Sequence, residues 1–177
     1  MSPVELHFPD VAKVFPGHVA KPASIPLPPS TGEKHRILIA DENPVHRLTL
    51  FQFLTEAGYE PVIAESGQEA IAELRKPNHP PIAILDSMLP SMNGLEICKR
   101  MRSVEKIVYL ILSSDTTGKQ EAAAALEAGA DSFLARPFVR EELLALVKSG
   151  VRIISRQRAL ADKVQALGGH NSSDEMV

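Results

Sequence analysis

Between residues 35 and 167 the sequence alternates five times between a short apolar run and a longer run with helical periodicity. The short runs are RILIA (36–40), EPVIAE (60–65), PIAILD (81–86), KIVYLILSS (106–114) and SFLA (132–135). They are apolar almost throughout, so the strands they predict must be covered on both faces. The long runs carry helix signals. Pro44 suits a first helical turn, and the pattern that follows it stops at Gly58. Ser66 and Glu69 have the spacing of a capping box. GLEICKRMR, the alanine-rich TGKQEAAAALEAGA and a long stretch from 139 to 167 complete the set. Strict strand–helix alternation with right-handed crossovers requires a parallel sheet with helices on both sides. Neither of the two commonest nucleotide-binding fingerprints of such sheets, GxGxxG or GxxxxGK[ST], is present.

In open sheets of this kind, ligands bind beyond the carboxyl ends of the strands. The residues expected there are Asp41 and Glu42 after the first strand, Asp86 at the end of the third, Ser113 and Ser114 at the end of the fourth, and Arg136 after the fifth. A single acid in such a place is most simply an N-cap of the next helix. Three carboxylates on one edge repel one another unless a cation joins them. A hard cation such as Mg²⁺ fits oxygen donors. With a carboxylate, a hydroxyl and a guanidinium beside it, the chemistry suited to the edge is phosphoryl transfer, in which an aspartate can be the covalent acceptor.

Composition narrows the remaining classes. Of 177 residues, 44% are hydrophobic and 23% charged, the balance of a soluble globular protein, and the formal net charge of −3 gives no global attraction to nucleic acid or membrane. The apolar run IVYLIL is too short to span a bilayer, and no signal-peptide pattern opens the chain. A single cysteine, Cys98, suits a reducing compartment, and a cytoplasmic location is expected. Half of the fourteen prolines fall in residues 1–34, which are expected to form a disordered, proline-rich tail.

The segments ILIADENPVHR, PIAILDSMLPSMNGLEICKRMR, YLILSSD and AGADSFLARPF resemble, in order and spacing, the successive signatures of a two-component response-regulator receiver domain. The resemblance covers about residues 35–150 and implies a flavodoxin-like (βα)5 fold with strand order 2-1-3-4-5. It implies that Asp86 accepts the phosphoryl group. It places Mg²⁺ at Asp41, Glu42, Asp86 and the backbone carbonyl of Met88. Ser113 is then the switch hydroxyl and Phe133 the rotating aromatic, and Pro137 follows a cis peptide. The implied partner is a sensor histidine kinase or a phosphotransfer protein, and the implied output is a change of partners on the face formed by helix 4, strand 5 and helix 5. Gly94 is expected to supply backbone freedom to the turn behind Asp86.

Arg136 departs from the pattern, because the family carries lysine there; a planar fork replaces a point charge. The alternative to a working receiver is therefore a degenerate one that acts by docking and constitutive dimerisation. A phosphohydrolase is disfavoured, since Met88 stands where such enzymes place a second acid, and the chain is not read as an enzyme. Residues 151–167 extend the last helix beyond what a receiver needs. Leu146, Gly150, Ile153, Gln157, Leu160, Val164 and Leu167 follow a heptad seam, which predicts a homodimeric coiled coil. That extension resembles linkers to output enzymes, so the chain is either a stand-alone receiver or a regulatory fragment, with residues 168–177 a disordered tail. Nucleic acid is not expected as a partner, because no helix-turn-helix accompanies the basic residues of the extension.

Overall fold

The computed structural model describes residues 35–168 except 105 and 117. The expectations for residues 1–34 and 169–177 lie outside the described residues. Five strands, β1 (Arg36–Ala40), β2 (Glu60–Ala64), β3 (Ile82–Asp86), β4 (Tyr109–Ser114) and β5 (Ser132–Ala135), form one parallel sheet in the order β2-β1-β3-β4-β5. They alternate with α1 (Pro44–Glu56), α2 (Gly67–Arg75), α3 (Gly94–Arg102), α4 (Lys119–Glu127) and α5 (Arg140–Gly168). This is the flavodoxin-like arrangement expected from the sequence, with the long last helix in place. The fourth strand is shorter than its apolar run, because pairing with β3 begins at Tyr109.

The strands β1, β3, β4 and β5 divide their residues between two cores, as the period of two demands, while β2 gives Val62 and Ala64 to one of them only. Leu38, Ala83, Leu85, Leu110 and Leu112 face one side with Ala70, Ile71 and Leu74 of α2, Ile97, Cys98 and Met101 of α3, and Ala125 of α4. Ile37, Ile39, Ile82, Ile84 and Ile111 face the other side with Leu50 and Leu54 of α1 and Leu143, Val147, Val151 and Ile154 of α5. The three inner strands are apolar on both faces for this reason. The edge strands β2 and β5 are less buried.

Local signals explain the helix starts. Asn43, not Asp41, caps α1, with its Oδ1 accepting from the Val45 amide at 2.9 Å. Ser66 caps α2 by accepting from the Glu69 amide at 3.2 Å, but the Glu69 carboxylate accepts from the Glu65 amide, so the box is closed one residue upstream. Gly58 and Gly129 take positive φ after α1 and α4.

The last helix changes environment along its length. Gly150 is buried, and a Cβ there would come within 2.7 Å of the Tyr109 ring, so this member of the heptad pattern packs inside the domain. Ile153 is 38% exposed, and Leu160, Val164 and Leu167 are 64%, 62% and 77% exposed on the part that continues beyond the core.

One titratable group ties stability to pH. His79 is half-buried before β3, with Nδ1 3.0 Å from the Pro80 carbonyl. Burial pulls its pKa below 6.5, and the charges of Lys106 and Arg158 push the same way. The unfolded chain therefore binds a proton at higher pH than the folded one. Stability is expected to fall as pH drops from 6.5 through the lowered value, and His79→Gln to flatten that acid limb in urea titrations at several pH values.

Candidate functional site

The carboxyl ends of β1, β3, β4 and the residue after β5 meet around one guanidinium. Arg136 follows β5, and its amide donates to the Ser114 carbonyl at 2.8 Å, which sets the side chain over the sheet edge. Its Nη1 lies 3.1 Å from Asp41 Oδ2 and 3.4 Å from Ser113 Oγ, and its Nη2 lies 3.0 Å from Asp86 Oδ1. Its Nε donates to Asp115 Oδ1 at 2.7 Å. Asp41 and Asp86 are 1% and 4% exposed, so a cation between them is required rather than decorative. Burial opposes the charge of Arg136, but the hydrogen bonds to Asp115 and Asp86 outweigh it and hold the pKa above its ordinary value. Burial pushes the Asp41 carboxyl up, as does the Asp86 charge; the Asn43 amide, Arg136 and His46 oppose the rise.

The sequence-predicted residues fall as follows. Asp41, Asp86, Ser113 and Arg136 are brought together. Glu42 is exposed, and among the described residues no group of three or more His, Cys, Asp or Glu side chains is gathered closely enough to hold a metal. Met88 points its side chain into solvent, while its amide donates to Asp86 Oδ1 at 3.2 Å. Phe133 is half-buried against the core shared by α2, α3 and α4. The Arg136–Pro137 peptide is cis, as expected. Asp41 and Asp86 are hard oxygen donors converging on a cationic position, and this donor set fits Mg²⁺, which takes few carboxylates and keeps its waters.

The turn behind Asp86 is built differently from the expectation. Gly94 does not take a positive φ; the left-handed residue of the turn is Ser91, at φ 69°. Gly94 is needed for close approach instead. A Cβ on it would lie 2.4 Å from the Asp86 carbonyl oxygen and 2.6 Å from Leu112 Cδ1. Its amide donates to the Ser87 carbonyl at 3.3 Å, so α3 starts directly against the strand end that carries Asp86.

Three contributors were not legible as site residues. Asp115 follows β4 and reaches back to Arg136. His46, in the first turn of α1, places Nδ1 3.3 Å from Asp41 Oδ2 without hydrogen-bond geometry. Arg47 donates to the carbonyls of Asp41 and Glu42 at 2.9 and 2.8 Å and to Glu65, bracing the loop between β1 and α1. Their signal was only position, within seven residues of a strand end. A cavity of about 390 Å³ adjoins the site, lined by His46, Thr49, Phe53, Asp115, Arg136, Pro137 and Phe138. Cys98 is buried, and burial pushes its thiol up to about 12, so it offers no nucleophile.

A five-stranded doubly wound sheet with an acidic pair, a hydroxyl and a cation at the carboxyl edge defines a class of signalling domain, and sequence comparison agrees. The family model for the response regulator receiver domain matches residues 37–148. The chain belongs to the response regulator receiver family. Among curated proteins it is 36% identical over 117 residues to the response regulator MprA of Mycobacterium sp. (strain KMS), covering 66% of this chain and 50% of that protein. The MprA of Mycobacterium leprae (strain TN) is 35% identical over 117 residues, covering 66% of this chain and 51% of that protein. The chain thus spans about half the length of the curated relatives it matches. Among solved structures, a CheY-like receiver domain protein from Methanospirillum hungatei JF-1 superimposes with a TM-score of 0.64 at 25% identity, covering 71% of this chain and 99% of that one. A two-component response regulator from Clostridium difficile gives 0.62 at 28% identity, covering 67% and 97%.

Proposed function

We propose that the domain accepts a phosphoryl group on Asp86 from a sensor histidine kinase or a phosphotransfer protein, with Mg²⁺ bound near Asp41 and Asp86. The observation that carries this reading is the convergence of Asp41, Asp86 and Ser113 on the Arg136 guanidinium at the strand ends. Oδ1 of Asp86 is engaged by Arg136 and Met88, so Oδ2 is the oxygen that attacks phosphorus. The P–N bond of the phosphohistidine breaks as the acyl-phosphate bond forms, and the imidazole leaves with a proton. Mg²⁺, when bound, neutralises the equatorial oxygens of the transferring group. Arg136 supplies the remaining positive charge, Ser113 donates a hydroxyl to the new phosphoryl group, and Phe133 repacks beside it. The result is a population shift between two states of the α4–β5–α5 face rather than turnover of a separate substrate.

Two surfaces support the partner assignments. Val45, Leu48 and Phe51 of α1 are 67%, 67% and 41% exposed, an apolar face suited to a kinase or phosphotransfer partner. The exposed Ile153, Leu160, Val164 and Leu167 suit a homodimer through α5. Among the described residues no helix is long and apolar enough to cross a membrane, and a cytoplasmic location is proposed. A second reading has its own support: the Arg136 fork already occupies Asp86 Oδ1, which suits a degenerate receiver that docks and dimerises without phosphorylation. The proposed role is regulatory, either alone or as a fragment of a longer output protein.

Incubation with Mg²⁺ and acetyl phosphate, read by intact mass, separates the readings. A single phosphoryl adduct is expected on the wild type and none on Asp86→Asn, with sedimentation showing a shift toward dimer only in the phosphorylated protein. No adduct, together with a donor-independent dimer, would establish the degenerate reading instead.

A further inference from the structure

Arg136 is held from two sides. Its Nη atoms face the buried carboxylates, while its Nε donates at 2.7 Å to Asp115, whose side chain is 74% exposed. A guanidinium is planar, so fixing Nε and one Nη fixes the direction of the other. The hydrogen bond to Arg136 holds the Asp115 carboxyl below its usual range, even with Asp115 largely in water. A lysine would present its three donors from one nitrogen, with no planar fork to hold Asp115 on one side and the buried acids on the other at fixed directions. The Asp115 contact is a feature of this chain's arginine.

We propose that Asp115 is a positioning residue that clamps the Arg136 fork across Asp41 and Asp86, so that a divalent cation must displace the clamped fork to reach those carboxylates. The inference rests on the reading of Asp41 and Asp86 as the metal-binding acids. Asp115 also carries a negative charge, which by itself would attract a cation to the site. That charge is exposed and screened by salt, whereas its grip acts on a group that touches the buried acids. The grip and the charge therefore predict opposite signs for the loss of Asp115.

The test uses the full chain in four forms: wild type, Asp115→Ala, Arg136→Lys and the double variant. Magnesium affinity is measured by titration calorimetry at physiological salt. In the metal-free proteins, NMR reads the exchange with water of the Arg136 Nε–H, assigned by its loss in Arg136→Lys. Asp115→Ala is expected to speed Nε–H exchange and to tighten Mg²⁺ binding by about fourfold, the modest size expected of an exposed ion pair. On the Arg136→Lys background the same substitution should leave Mg²⁺ affinity unchanged. Weaker Mg²⁺ binding by the same factor on both backgrounds would mean that Asp115 acts by charge alone and overturn the clamp. Unchanged Nε–H exchange would overturn it too, while leaving the phosphoacceptor reading intact. Failure of all four proteins to bind Mg²⁺ would remove both the phosphoacceptor reading and the competition, even if Nε–H exchange still responded to Asp115.

Discussion

Arg136→Ala is expected to lower stability by about 3 kcal/mol at neutral pH, because it strands two buried carboxylates without their cation. With an m-value of roughly 2 kcal/mol/M, the urea midpoint should fall by about 1.5 M. Asp41 and Asp86 are 1% and 4% exposed, so water cannot replace the guanidinium cheaply. The escape open to the folded protein is protonation. The Asp41 carboxyl already titrates above its usual 3.8, chiefly through burial, and losing Arg136 removes one of the charges that oppose the rise. A carboxyl raised in the folded state binds its proton there first, so the folded state is penalised increasingly as pH climbs from 3.8 through the raised value. The deficit should therefore be largest near pH 7–8 and shrink toward pH 5. Addition of Asp41→Asn, or of millimolar Mg²⁺, should restore part of it. A pH-independent loss below about 0.5 kcal/mol, within the range of ordinary surface substitutions, would show that Arg136 is not the cation neutralising the acidic pair.

That prediction turns on something the sequence showed only by half. The strand ends were readable because each ends an apolar run: Asp86 is the last residue of β3, and Asp41 follows β1 directly. Parallel strands then bring these positions to one edge whatever the loops do. Side-chain reach was not readable in the same way. That Arg136 spans from Asp115 through Asp41 and Ser113 to Asp86 depends on which of three nitrogens meets which oxygen, and a one-dimensional pattern holds no such information. Asp115 looked like one more polar residue in a loop. Glu42, adjacent to Asp41, read as its equal, but the chain turns between them, leaving one acid buried and the other exposed.

The last helix makes the same point in another direction. Its length was legible from unbroken helical periodicity out to Leu167, and α5 does run from Arg140 to Gly168. Which positions belong to the domain was not. A heptad pattern places Leu146 and Gly150 in the same row as Leu160 and Leu167. Packing separates them, because Val147, Val151 and Ile154 face β3 and β4 and carry Gly150 in against Tyr109. Glycine at 150 reads as a weak seam position and is explained by an aromatic ring that occupies the space of its side chain. The exposed apolar row begins only at Ile153.

Gly94 was misread for a related reason, and its replacement carries the second large effect. Backbone freedom is the usual reason for glycine in a turn, but Ser91 takes the left-handed conformation here. At Gly94 the obstacle is steric: a Cβ would stand 2.4 Å from a backbone oxygen of β3 and 2.6 Å from the buried Leu112 side chain. A strand carbonyl cannot swing aside as a flexible side chain would, so the first turn of α3 must move away from the sheet. Gly94→Ala is expected to cost about 3 kcal/mol, the upper part of the range for overpacking. Because the Gly94 amide binds the Ser87 carbonyl, the shift pulls on the residue after Asp86, and phosphoryl adduct formation should slow in the same variant. Gly118→Ala is the matched control. A Cβ there meets first the carboxylate end of the Glu121 side chain, which can rotate away, and little stability should be lost. If thermal or urea unfolding showed Gly94→Ala to be no worse than Gly118→Ala, α3 would not be pinned to the end of β3, and the geometry of Asp86 would have to be set by β3 and β4 alone, through the Ser87 amide on the Ser113 carbonyl at 2.8 Å.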